Sequence, residues 1–287
     1  MVNAMKKQTL SYLLFFPFPF LFLSSLTFAA DNIKLFGKFE QGTLLKGQAP
    51  VGAQLFLNGK SVRATDSGKF VVGFGREAEL TNNLKAILVD GTEINREVVL
   101  TKKKYRIQRV NGIAKKIMKP EPKAVARSKK DSQQVRAARN TDSDLDGIFT
   151  RFIWPAKGPI SGVYGSQRVY NGVPSRPHYG VDVAKPTGTP VVAPANGIIT
   201  LAVPDMFYSG GTIIIDHGYG VSSSMLHLSK LDVVKGQSVK QGQKIGEIGS
   251  TGRSTGPHLD WRINWYQMRL DPTTIVPPMQ VVLKDSH

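Results

Sequence analysis

Three stretches between residues 188 and 252 restrict this chain more than any other feature: GTPVVAPANGIITLAV, GGTIIIDHG and QKIGEIGSTG. Each alternates β-branched residues with Gly and Pro, at intervals too short for a helix. No long amphipathic helical period appears anywhere from residue 150 to 280, so that region is expected to be an antiparallel β domain. Residues 30–109 repeat the pattern on a smaller scale. QLFL runs into Asn58-Gly59, KAILV into Asp90-Gly91, and Asp66-Ser67-Gly68 precedes FVVGF. Asn-Gly and Asp-Gly supply the positive φ values of two-residue hairpins, and short strands at this spacing predict a small β-sandwich-like domain. The expected fold class is therefore all-β. The N-terminal domain contains no His, which leaves it binding or positioning as a role.

Between the two β regions the composition changes. Residues 110–149 read as a basic linker, with Pro120 and Pro122 ahead of a short helix in EPKAVARSKKDSQQVRAAR. Its weak apolar stripe is Val125, Val135 and Ala138, which suits a helix either docked on a neighbour or partly exposed. From Lys102 to Arg139 there are 14 Lys or Arg residues against two acids, Glu121 and Asp131, within a chain of net charge +17. Such a stretch attracts polyanions.

At the N-terminus, Lys6 and Lys7 precede the apolar run LSYLLFFPFPFLFL and then Thr27-Phe28-Ala29-Ala30. A basic start, an apolar centre and a small-residue ending predict a cleavable signal over residues 1–29, cut after Ala29. Pro17 and Pro19, in a run short for a bilayer span, argue against a retained anchor. With no Cys, the exported protein forms no disulfide and carries no lipid on a cysteine. In the periplasm, in the cell envelope or outside, the basic linker meets anionic wall polymers or lipid head groups rather than nucleic acid.

The chemistry gathers on three of the five histidines. His178 and Asp182 lie in HYGVD, His227 in MLHLS, and His258 and Asp260 in HLD. Gly180 permits an irregular strand, so that His178 and Asp182 turn toward one point. His258 and Asp260, two apart on a strand, share a face. Imidazole and carboxylate at these spacings are what a catalytic Zn2+ site needs, with one position left for water. His217, at a strand end before Gly218, reads as turn-stabilising. Arg176 is placed either to pin a substrate or a carboxylate or to sit solvated at the surface.

The stretches RPHYGVDVAKPTGTPVVAPANGII, GGTIIIDHGYG, LHLSKL and VKQGQKIGEIGSTGRSTGPHLDW resemble the LytM, or lysostaphin-type, zinc peptidases that cut peptidoglycan. The resemblance covers about residues 150 to 275, within a peptidase domain expected over 150–280. It implies that His178 and Asp182 are metal ligands, and that His227 and His258 polarise the water or stabilise the oxyanion. In that family the last motif is usually His-x-His, its second His being the third ligand; here the position is Asp260. Two readings stand: Asp260 ligates the metal, or it is no ligand but pairs with Arg262, where the family commonly has Glu, and leaves the site incomplete. Met225 replaces a usual Tyr. The resemblance implies a zinc-dependent endopeptidase acting on peptide cross-links of peptidoglycan. The alternatives are an inactive relative that binds the wall and activates a separate amidase, and a pure wall-binding protein.

Overall fold

The computed structural model describes residues 33–111 and 122–284; the expected signal segment and linker residues 112–121 lie outside the described residues. Seven strands come first: β1 (Lys34–Phe36), β2 (Leu44–Gln48), β3 (Gln54–Leu57), β4 (Lys60–Val62), β5 (Lys69–Gly73), β6 (Thr81–Ile87) and β7 (Glu93–Val99). Strands β1, β2 and β5 form one antiparallel sheet, and β4, β3, β6 and β7 form another. Alternate side chains turn inward, so Leu45, Leu55, Phe70, Val72, Leu84 and Ala86 share one buried cluster drawn from both sheets.

The turns follow their chemistry, with one difference. Asn58 and Gly59 both have positive φ, 48° and 77°, and close β3 onto β4 as a two-residue hairpin. At Asp90-Gly91 only Gly91 is left-handed. Leu88 N–H donates to Thr92 O and Gly91 N–H to Leu88 O, which makes a longer loop. Asp90 instead accepts from Thr92 N–H at 2.9 Å, so its side chain fixes the turn without a strained backbone.

β8 (Ile107–Val110) leads to α1 (Pro122–Ala138). The remaining strands are β9 (Ile160–Gly162), β10 (Gln167–Tyr170), β11 (Val173–Pro174), β12 (Val181–Ala184), β13 (Pro190–Val192), β14 (Gly197–Met206), β15 (Gly210–Gly218), β16 (Val221–Leu231), β17 (Ser238–Val239), β18 (Lys244–Ile248), β19 (His258–Trp265) and β20 (Met268–Leu270). A short helix, α2 (Met279–Lys284), follows. β8 runs parallel to β10. The chain is all-β, and its largest sheet has the order β17-β14-β15-β16-β19-β12-β9.

One face of that sheet is apolar. Val181, Val183, Ile213, Ile215, Met225, Leu259, Trp261 and Ile263 all enter the main core, so Met225 is a packing residue. The residues between them face the other way, and on β19 these are His258, Asp260, Arg262 and Asn264. Helix α1 lies against this second face. Val135 and Ala138 pack with Leu201, Val203, Met206 and Ile214. Asp131 accepts Phe207 N–H at 2.7 Å, and Arg136 O accepts from Gln267 at 3.1 Å. Val125 is exposed, so the apolar stripe is confined to the last turns of the helix. Among the described residues, no helix is long and apolar enough to cross a membrane.

Candidate metal centre

Strand register places the chemistry. Asp260 of β19 lies directly opposite Asp182 of β12, and Asp182 opposite Gly162 of β9. These positions form one rung across the second face. His178 reaches the same rung from the loop before β12, where its N–H donates to Ser166 O and its carbonyl accepts from Gly165 N–H. One ligand atom from each of His178, Asp182 and Asp260 lies within 4.8 Å of the others. His178 Nε2 stands 3.1 Å from Asp182 Oδ1.

Glycine makes the room. A Cβ at Gly162 would stand 2.0 Å from Asp182 Oδ2, and a Cβ at Gly180 would stand 2.2 Å from Asp260 Oδ1. Either addition would displace a carboxylate. Gly162, in ISGVYG, has no sequence signal of its own; only the strand pairing reveals its place.

His178 Nε2 and Asp182 Oδ1 are buried without a hydrogen-bond partner in favourable geometry. A cation would satisfy both, and one imidazole with two carboxylates is a legitimate zinc donor set, so the residues fit the metal. Without it, burial works against the charged form of His178. The Asp182 carboxylate 3.1 Å away and the charge of Asp260 outweigh that and raise its pKa.

Asp260 does two things at once. It stands in the chelating group and also binds Arg262, with Nε at 3.0 and 3.1 Å from the two carboxylate oxygens and Nη2 at 2.5 Å. Burial opposes its ionisation, but the charge and hydrogen bonds of Arg262 hold its pKa at about 2. The pairing with Arg262 is thus present, and Asp260 still keeps an oxygen within 4.8 Å of a ligand atom of His178 and of Asp182. A paired Asp260–Arg262 unit is neutral, as an imidazole would be, which limits the negative charge around the cation.

His227 and His258 flank the rung, their ring centroids 4.8 Å apart. His227 Nδ1 lies 2.8 Å from Thr251 O, and His258 Nδ1 lies 2.8 Å from Gly256 O. Each carbonyl requires N–H at Nδ1 and so leaves Nε2 as the proton acceptor in the neutral ring. His258 Nε2 points to Asp182 Oδ1 across 3.9 Å. His227 carries a φ of 66°, strain that places its ring beside the rung. Burial lowers its pKa, which keeps it neutral at pH 7. Thr251 and Gly256, the orienting acceptors, were invisible to motif reading because a carbonyl has no side-chain signature.

The other sequence candidates lie elsewhere. His217 is fully buried between Asn196 O and Ser223 Oγ, each at 2.7 Å, and burial pushes its pKa down to about 4. It holds the ends of β15 and β16 together. Arg176 is exposed.

One imidazole and two carboxylates converging on an antiparallel sheet, with two oriented imidazoles beside them, are the donor set and proton acceptors that metal-assisted hydrolysis uses. Residues 176–272 match the model of Peptidase family M23. It is 40% identical over 127 residues to the peptidoglycan DD-endopeptidase ShyA of Vibrio cholerae serotype O1, covering 44% of this chain and 29% of that protein. It is 41% identical over 103 residues to the DD-carboxypeptidase/endopeptidase Mpg of Neisseria meningitidis serogroup B, covering 36% of this chain and 24% of that protein. The matches thus span less than a third of either relative's length. A crystal structure of a putative peptidase M23 from Pseudomonas aeruginosa superposes with a TM-score of 0.65 at 27% identity, covering 83% of this chain and 95% of that one.

Proposed function

We propose that this chain is an exported, zinc-dependent endopeptidase that hydrolyses peptide cross-links of bacterial peptidoglycan. The observation that carries the reading is the unpartnered, converging pair His178 Nε2 and Asp182 Oδ1, completed by Asp260 and flanked by two imidazoles. The names of the relatives support the substrate class. The basic segment around the linker supports an affinity for anionic wall polymers or lipid head groups, and the signal-like N-terminus supports export.

His178, Asp182 and Asp260 would hold the ion. Zinc bound there supplies a Lewis acid and a water of lowered pKa. A neutral imidazole, His227 or His258, takes the proton of the attacking water at Nε2. With its Nδ1–H held on a carbonyl, the other ring can steady the negative oxygen that forms on the scissile carbonyl only as an imidazolium, protonated at Nε2 as well. The proton then passes to the leaving amine. The Nδ1–carbonyl bond keeps the accepting ring in the tautomer that this transfer requires.

A non-catalytic, amidase-activating relative would be marked by loss of ligand positions, and this chain keeps a complete rung. Digestion of purified sacculi tests the proposal. Muropeptides should be released by the wild type and not after chelation or in His258→Ala; intact muropeptides after prolonged incubation with the zinc-loaded protein would overturn it.

A further inference from the structure

The sheet face that carries the metal rung continues along β19 to a second polar row. Asp216, Ser222, Asn264 and Arg269 lie opposite one another in turn across β15, β16, β19 and β20. Asn264 is four residues from Asp260, roughly 13 Å along a strand, with the Ser224–Arg262 rung between. The segment after α1 covers this row. Arg139 Nη2 donates to Ser224 Oγ at 3.1 Å, and Ser143 Oγ donates to Asp216 Oδ2 at 2.7 Å.

Among the described residues, five buried polar atoms of this row and of the segment over it have no hydrogen-bond partner: Ser222 Oγ, both amide atoms of Asn264, Arg139 Nε and Arg269 Nη1. Arg139 is 4% exposed, Ser222 1% and Asn264 0%. Charge is unbalanced as well. Arg262 is committed to Asp260, and Asp216 to Ser143 Oγ and Gly218 N–H. Among the described residues, neither Arg139 nor Arg269 forms an ion pair; Arg269 only stacks near Tyr179, 5.7 Å from the ring centre. Burial, then the nearby guanidiniums of Arg269 and Arg262, force the pKa of Arg139 well down. Arg269 is pushed to about 10, by burial and then by Arg262. Buried donors and buried positive charge without acceptors are costly, and a native fold supplies an acceptor. Water would satisfy the hydrogen bonds and leave the charge uncompensated.

We propose that a compact monovalent anion, halide or carboxylate, binds between Arg139, Arg269, Asn264 and Ser222 and ties the segment after α1 to the sheet. The two guanidiniums supply charge, while Asn264 Nδ2 and the Ser222 hydroxyl supply neutral donors. Because Arg139 comes from the cover and Arg269 from the sheet, occupancy couples anion concentration to the docking of α1.

Melting of the full chain tests this at matched ionic strength in chloride, acetate or bulky gluconate. A fitting anion should raise Tm by roughly 5 °C over gluconate. A rise in chloride alone assigns a halide site; a rise in acetate as well assigns a carboxylate-compatible one. Equal melting in all three overturns the proposal. Crystals soaked in bromide should show an anomalous peak within hydrogen-bond reach of Arg139 and Arg269, whereas waters alone there overturn it. Asn264→Asp places a carboxylate in the enclosure and should abolish the anion dependence; undiminished dependence overturns the assignment. If that variant does not fold, Arg139→Met is read the same way.

Discussion

The proposed metal rung and the distal polar row occupy one face of one sheet, yet they differ in sign and in access. At the first, the orphan atoms are lone-pair donors, His178 Nε2 and Asp182 Oδ1, on side chains each 21% exposed. At the second, most orphan atoms are hydrogen donors, closed under the segment after α1. The sheet gives both rows the same spacing. Which ion each row accepts depends on the side chains at alternate positions of β19 and on what lies above them. Arg262 stands between the two rows, paired with Asp260 of the first and near enough to Arg139 and Arg269 of the second to lower their pKa values.

Substitutions can break that contrast. The largest effect is expected from Asp182→Ala, which removes the oxygen shared by His178 and His258. Zinc content by elemental analysis should fall to background and hydrolysis should vanish; a full zinc complement would exclude Asp182 as a ligand. His258→Ala should keep the metal and lower kcat by about 10²–10⁴, the range of a lost acid–base group. A parallel loss of zinc would reassign this residue to the ligand set.

Gly162→Ala sharpens the comparison from the backbone side. Its Cβ would stand 2.0 Å from Asp182 Oδ2, so zinc affinity measured with a competing chelator should drop by roughly 10–100-fold. Asn264→Asp, on the other row, should leave that affinity unchanged.

Acid should destabilise the protein in two steps. The folded pKa of His217 is about 4, below its unfolded value, so the unfolded state binds the extra proton first. Its contribution is complete above about pH 6.5 and is lost as pH falls toward 4, on the order of 3 kcal/mol. Asp260, at about 2, behaves with the same sign lower down; its contribution is lost between about pH 3.8 and 2. Urea melts at pH 7 and 4.5 should reveal the first step, and His217→Gln should flatten it. A first step unchanged in that variant would assign it to another group.

Much of the convergence of His178, Asp182 and Asp260 was legible as spacing. His258 and Asp260 share a face because strand periodicity is two, and HYGVD bends at Gly180. The pairing of Asp260 with Arg262 was also visible as an alternative. Long-range components were not legible. Gly162 is 20 residues from Asp182, and it matters only because β9 and β12 are neighbours. Arg139 read as one more linker charge, yet it is buried on the sheet. The Asp90-Gly91 loop differed because dipeptide identity alone does not set loop length. For the helix, Val125 and Val135 looked equivalent; only the end bearing Val135 found an apolar partner.

The amino-acid order alone determined the all-β character, the alternation that separates core from polar face, and the residue types able to hold a cation. Those are short-range properties, fixed by backbone sterics and side-chain chemistry within a few positions. Tertiary structure alone decided which glycines admit which carboxylates, which carbonyls orient the imidazoles, and that an arginine from the linker is sealed over the sheet. Each of these joins segments distant in the chain, and register between strands, rather than sequence separation, sets their distances.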